Sequence, residues 1–255
     1  MTSHLIGDTA ALTGRSLRHI LRSPDTIITT ALMPVAFLLL FVYVLGGAIT
    51  TGPHSGPYVS YLLPGILLIT IASGISYTAY RLFLDLQGGI FQRFQSMPIA
   101  RASVLWAHVL TSIIANLASI VVVVLVAVLM GFRSGAGLAA WLAVAGILIL
   151  FTLALTWLAM IAGLTAKSLD GASAFSYPLI FLPFISSAFV PTASMPGPVQ
   201  AFAQNQPVTS IVNAIRELLT QRPVSADIWV ALAWCLGILI VAYALAMVAY
   251  RRRIS

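Results

Sequence analysis

Residues 138–164 read LAAWLAVAGILILFTLALTWLAMIAGL, with no Asp, Glu, Lys or Arg anywhere in the run. Wound as an α-helix rising 1.5 Å per residue, it outreaches the roughly 30 Å hydrocarbon core of a bilayer. Five stretches of the same kind flank it, at 26–49, 59–80, 102–130, 172–190 and 228–249. Each is about 19 residues or longer, enough for a crossing. The expected fold is an all-α polytopic membrane protein, with six transmembrane helices in a single transmembrane domain over residues 1–255. Composition agrees: 60% of residues are hydrophobic, 7% are charged and the mean hydropathy is +1.02. A soluble domain carries about a quarter charged residues.

The net charge of +7 would suggest nucleic acid in a soluble chain. Its placement points to a membrane instead, with no nucleic-acid partner. In a six-span arrangement Arg15, Arg18, Arg22, Arg81, Arg93, Arg101, Lys167, Arg251, Arg252 and Arg253 fall on one side. Arg133, Arg216 and Arg222 fall on the other. The positive-inside rule then places both termini in the cytoplasm of a multi-pass cell-membrane protein. A cleaved signal peptide fits poorly, because the first apolar run is too long and lacks a small-x-small cleavage site.

The connections divide into short and long. Residues 5–22 form an expected interfacial helix, with Leu17, Ile20 and Leu21 on one face and Arg15, Arg18 and Arg22 on another. Arginines so placed suit anionic headgroups, so membrane lipids are partners of this segment. Ser23-Pro24-Asp25 ends that helix and can begin the next. Residues 50–57, 131–137 and 165–171 read as tight loops, which make neighbouring helices antiparallel. Residues 81–101 and 191–227 are longer, the first expected inside and the second outside.

Several activities are hard to place. All charged side chains lie outside the six runs or at their ends, so an ion-coupled transporter would lack its intramembrane ionisable groups. Asn116 is the strongly polar residue well inside a run, and a helix–helix hydrogen bond is its ordinary role. Pro34, Pro64, Pro178 and Pro183 interrupt runs without forming a repeat. No carboxylate pair or nucleophile–base pair marks a catalytic site, and the four histidines lack metal-ligand spacing. Cys235 is the only cysteine. Lys167 is the only lysine and follows Ala166 where a phosphate loop needs glycine, so the chain has no Walker A site. No cofactor is expected in this chain.

The loop at 81–101 reads RLFLDLQGGIFQRFQSMPIAR. Gly88-Gly89 should break the preceding helix, and Pro98 should stop a short following one. Ile90, Phe91 and Phe94 share a face of that short helix, with Gln92, Arg93 and Gln95 turned away. Such a face must bury against lipid, this chain or the groove of a partner. Residues 92–99, QRFQSMPI, resemble the loop before the third span in ABC-2-type permeases of the daunorubicin-resistance kind. Residues 202–208, FAQNQPV, with Ile215-Arg216-Glu217-Leu218, are similar to that family's external segment before the last span. Residues 191–196, PTASMP, resemble the loop opening it.

The resemblance implies a function and a set of partners. Two permease subunits, identical or homologous, would pair around a pathway, with ATP-binding-cassette ATPase subunits beneath that hold ATP and Mg. Ile90, Phe91, Gln92, Arg93 and Phe94 would form a cytoplasmic coupling helix docking on the ATPase. External re-entrant helices within 191–227 would cap an exit path, with Asn205, Gln206, Asn213 and Glu217 as polar members. The first and fifth spans would flank the route of an apolar or amphipathic cargo. Met33, Phe37, Phe41, Phe181 and Phe184 are the candidate pathway residues, although aromatics in spans usually face lipid or neighbouring helices. Export of a lipid-linked glycan or cell-envelope lipid would use the same architecture. A membrane enzyme or structural protein needing no ATPase is the alternative of another class.

Overall fold

The computed structural model describes residues 7, 13–14, 24–46, 58–88, 101–223 and 225–254. Regular structure among them is entirely helical. Helix α1, Pro24–Leu39, runs on as π-helical turns over Leu40–Leu45. Four long helices follow in the order α2, Tyr58–Gln87, α3, Arg101–Leu129, α4, Leu138–Thr165, and finally α9, Asp227–Ile254. Between α4 and α9 lie α5, Leu169–Ala174, α6, Ser176–Phe181, α7, Gly197–Asn205, and α8, Pro207–Thr220. Among the described residues α2, α3, α4 and α9 are long and apolar enough to cross a membrane.

Helix α2 is the axle. It touches α1, α3, α4, α5, α6 and α8, and residues 61–72 are buried on every side. A helix apolar all round belongs in the centre of a bundle. Leu62, Leu63, Ile66, Leu67, Ile69 and Ile75 are sealed from solvent there. A second apolar cluster joins the other ends of the spans, where Leu82, Leu105, Trp157, Met160 and Ala246 are buried together. Large apolar side chains left exposed, such as Val121, Leu125, Leu142, Ile240 and Leu245, lie on α3, α4 and α9. On a helix that crosses lipid, such a surface is solvated by acyl chains.

The expected spans at 102–130, 138–164 and 228–249 match α3, α4 and α9 closely, though α9 continues through Arg251–Arg253. The second run was expected to end at residue 80, yet α2 continues to Gln87. Leu82 and Leu86 extend its apolar stripe into the cluster around Leu105, so residues 81–87 are helix and not loop. Gly88 ends it as a turn.

The fifth run differs most from expectation. It is no continuous helix but α5, α6, a 3-10 turn at Leu182–Ile185 and extended backbone at Ser186. Proline supplies no N–H and is accommodated most easily in a first helical turn. Pro178 sits in the first turn of α6 and Pro183 in the 3-10 turn. Each short piece therefore begins where a proline can be accommodated.

Candidate functional site

The end of the bundle that carries the α3–α4 turn and α8 is termed the outer end. Here the fifth run comes apart, and its carbonyls need partners. Polar groups in apolar surroundings are stable only when hydrogen-bonded. Those partners come from α2 and from the segment between α7 and α9.

Helix α8 positions them. Val208, Ile211, Val212, Ile215 and Leu219 form its apolar stripe and lie buried against α2, α4 and α9. Arg216 falls on that same stripe, four residues after Val212. It is 9% exposed. One terminal nitrogen, Nη2, donates to the Ser187 carbonyl at 2.8 Å and to the Tyr61 carbonyl at 3.2 Å. Its Nη1 donates to Asn213 Oδ1 at 3.2 Å. The guanidinium carbon stands 3.9 Å from the centre of the Tyr61 ring, a cation–π contact. Burial draws its pKa below the ordinary guanidinium value, which the neighbouring Tyr61 partly offsets. A guanidinium nevertheless keeps its charge in proteins. Tyr61 completes the clasp, its hydroxyl donating to the Ser187 carbonyl at 3.0 Å.

Asn213 is the hub beside it. Its Oδ1 also accepts from Ser187 Oγ at 2.7 Å, and its Nδ2 donates to Asp227 Oδ2 at 3.0 Å. Gln206, buried at the start of α8, donates through Nε2 to the carbonyls of Leu182, at 3.4 Å, and Ile185. Side chains of α8 and its N-terminal flank thus satisfy the unwound part of the fifth run. Gly65 lets that part approach α2, because a Cβ there would collide with Ala188.

Of the four residues expected in an external cap, Asn213 joins the clasp and Gln206 serves the Leu182 and Ile185 carbonyls of the same unwound run. Asn205 is exposed and bonds its own helix at Ala201. Glu217 accepts from the Ser225 backbone at 2.9 Å, securing the turn toward α9. Arg216 and Tyr61 were absent from the expected site, although the position of Arg216 on an apolar stripe was a readable signal.

The candidate pathway aromatics form one cluster between α1 and the fifth run. Phe184 stacks on Phe189 at 4.8 Å, and Phe37 meets its edge at 5.5 Å. Phe41 lies 4.5 Å from Phe189, and Phe181 lies 6.2 Å from Phe184. Phe189 therefore joins the expected set. Met33 is exposed on α1. Behind the fifth run, a cleft of about 400 Å³ lies between α4, α6, α8 and α9, lined by Phe151, Leu179, Leu182, Val208 and Trp234.

Two further polar features lie deeper. Thr78 Oγ1 donates to Ser112 Oγ at 2.9 Å, and Ser112 Oγ lies 3.2 Å from Thr156 Oγ1, which ties α2, α3 and α4 together. Asn116 Nδ2 donates to the Ser112 carbonyl at 2.9 Å, and Gly74 leaves room for its Oδ1. At the inner end His108 Nε2 lies 3.1 Å from Asp85 Oδ2, bridging α3 and α2 beside the 89–100 connection. The expected docking residues Ile90, Phe91, Gln92, Arg93 and Phe94 lie outside the described residues, as does most of the expected interfacial helix at 5–22.

Sequence comparison then adds the family. The model of the ABC-2 type transporter family matches residues 8–220. The chain belongs to the ABC-2 type transporter family. It is 29% identical over 234 residues to the daunorubicin resistance ABC transporter permease protein DrrB1 of Streptomyces coeruleorubidus, covering 90% of this chain and 81% of that protein. It is 28% identical over 251 residues to the probable doxorubicin resistance ABC transporter permease protein DrrC of Mycobacterium tuberculosis, covering 97% and 89%. As an ABC-2 permease the chain is a multi-pass transporter membrane subunit and not a catalytic enzyme. The clasp and the aromatic cluster lie within the matched region.

Proposed function

We propose that this chain is the permease subunit of an ATP-binding-cassette exporter that moves hydrophobic or amphipathic compounds from the cytoplasm or inner leaflet. A separate ATPase subunit, holding ATP and Mg, supplies the driving force. A second permease, identical or homologous, completes the route. Both termini lie in the cytoplasm, in keeping with the arginine distribution. The named drug-resistance relatives support the cargo class.

The observation that carries this reading is the aromatic cluster of Phe37, Phe41, Phe184 and Phe189, placed where the uncharged first and fifth runs meet. Rings offer an amphipathic cargo large apolar faces without fixed charge. Energy enters at the other end. Helices α2 and α3 flank residues 89–100, and the Asp85–His108 pair links them at that base. A push on Ile90, Phe91, Gln92, Arg93 and Phe94 would move both helices together.

Docking is tested with the full chain and its ATPase in membranes. Changing Phe91 and Phe94 together to Asp should abolish co-purification of the ATPase while the chain stays in the membrane. Retention of the ATPase and of transport by that double variant would contradict the docking assignment.

A further inference from the structure

Helix α2 connects two places that matter. Asp85, paired with His108, lies near its inner end, and Tyr61 lies one turn from its outer end. The two stand 24 positions apart, roughly 36 Å at 1.5 Å per residue. Helix α2 is buried on all sides through most of that length, so it moves as a unit or not at all. Arg216 holds the Tyr61 carbonyl of this helix and the Ser187 carbonyl of the broken fifth run with the same nitrogen. Two residues beyond Ser187, Phe189 stacks on Phe184 and contacts Phe41. One cation therefore joins the central helix to the unwound backbone that carries the aromatic cluster.

We propose that Arg216 is the positioning residue of the outer gate. It locks the Ser186–Phe189 backbone against α2 in the closed state. Displacement of α2 from the coupling loop pulls the Tyr61 carbonyl out of register with the Ser187 carbonyl, and the clasp opens. This rests on the exporter reading, which supplies the push. A cation shared among neutral carbonyls, a ring and an amide suits such a duty. The fixed fork of guanidinium donors specifies one geometry, and among the described residues no carboxylate pairs with it to lock that geometry permanently. Asp227 is linked to the guanidinium through Asn213. Loss of the clasp takes both donors from the Ser187 carbonyl at once, whereas the Tyr61 carbonyl keeps its helical partner, so the two positions are discrete.

The test uses the assembled transporter in cells, with Cys235 changed to Ala and Ser186→Cys as a reporter. Ser186 is fully buried in the closed arrangement. A membrane-impermeant maleimide is applied from outside, with and without energy depletion. With Arg216 present, labelling should require ATP turnover. In R216M it should become at least tenfold faster without turnover, and export per ATP should fall at least tenfold. R216K, keeping the charge without the fork, should fall between. Y61F removes one bond to the Ser187 carbonyl and should raise resting labelling about two- to fivefold, which keeps the question answerable if R216M fails to assemble. Resting labelling unchanged in both R216M and Y61F would overturn the clasp. A parent that never exports, yet gains resting labelling in R216M, would retain the clasp and overturn the exporter reading.

Discussion

Helix α4 and the fifth run are both uncharged through their apolar cores, yet they fold in opposite ways. Helix α4 is one unbroken element from Leu138 to Thr165. Its hydroxyls turn inward along its own backbone, Thr152 donating to Leu148 and Thr156 to Thr152, each at 2.7 Å. The fifth run breaks into α5, α6 and a 3-10 turn, and its carbonyls at Leu182, Ile185 and Ser187 are served from outside by Gln206, Arg216 and Tyr61. Irregular backbone at membrane depth is stable only under a cover of protein. The cover makes the fifth run dependent on α8 and α2, whereas α4 depends on itself. A self-sufficient helix is a strut; a borrowed one can be released.

The sharpest way to break the comparison is to exchange the punctuation. Ala154→Pro, at a buried position in the middle of α4, should cost about 3 kcal/mol or more and leave no assembled protein. Pro178→Ala, in the first turn of α6, should change stability by less than about 1 kcal/mol. Thermal melting of the detergent-purified chain, followed by size-exclusion fluorescence, reads both. Similar melting for the two variants would mean that α4 and the fifth run are not different in kind.

Phe184→Ala tests the face of the fifth run turned toward α1. It removes ring contacts with Phe37, Phe41, Phe181 and Phe189 and should destabilise by about 2 kcal/mol. Export of a bulky aromatic dye should fall more steeply than that loss of folded protein explains, as a dose series normalised to membrane abundance would show. A proportionate fall would make the cluster a packing feature only.

Gln206→Leu tests the borrowed hydrogen bonds at their mildest. It leaves the Leu182 and Ile185 carbonyls without this donor and should lower stability by about 1–2 kcal/mol. The matching change in α4, Thr152→Val, should cost less than about 1 kcal/mol, because the i−4 carbonyl keeps its helical N–H partner. Equal losses would remove the distinction between covered and self-satisfied backbone.

Much of this was legible from apolarity alone. The runs at 102–130, 138–164 and 228–249 mark α3, α4 and α9 because an uninterrupted run folds as one helix. Apolarity could not show that the fifth run breaks, since Pro178 and Pro183 are tolerated in other settings, as Pro64 is inside α2. The extension of α2 to Gln87 was visible in the apolar spacing of Leu82, Phe83 and Leu86, but Arg81 and Asp85 masked it. Arg216 stood on the apolar stripe of α8, and its charge concealed its burial. Asn213 was expected only as a polar cap member through the resemblance; its role as a hub had no local signal, because Ser187 and Asp227 reach it once the chain has folded.

The central claim is that this chain exports an amphipathic compound only when an ATPase subunit pushes on it. Inside-out vesicles containing the chain together with its ATPase, loaded from outside with an anthracycline-like fluorescent dye, test it most directly. The expected result is dye accumulation that starts on adding ATP and Mg, and that is absent without the ATPase or with the Phe91/Phe94 double Asp variant. Equal accumulation by the chain alone, without ATP, would contradict it.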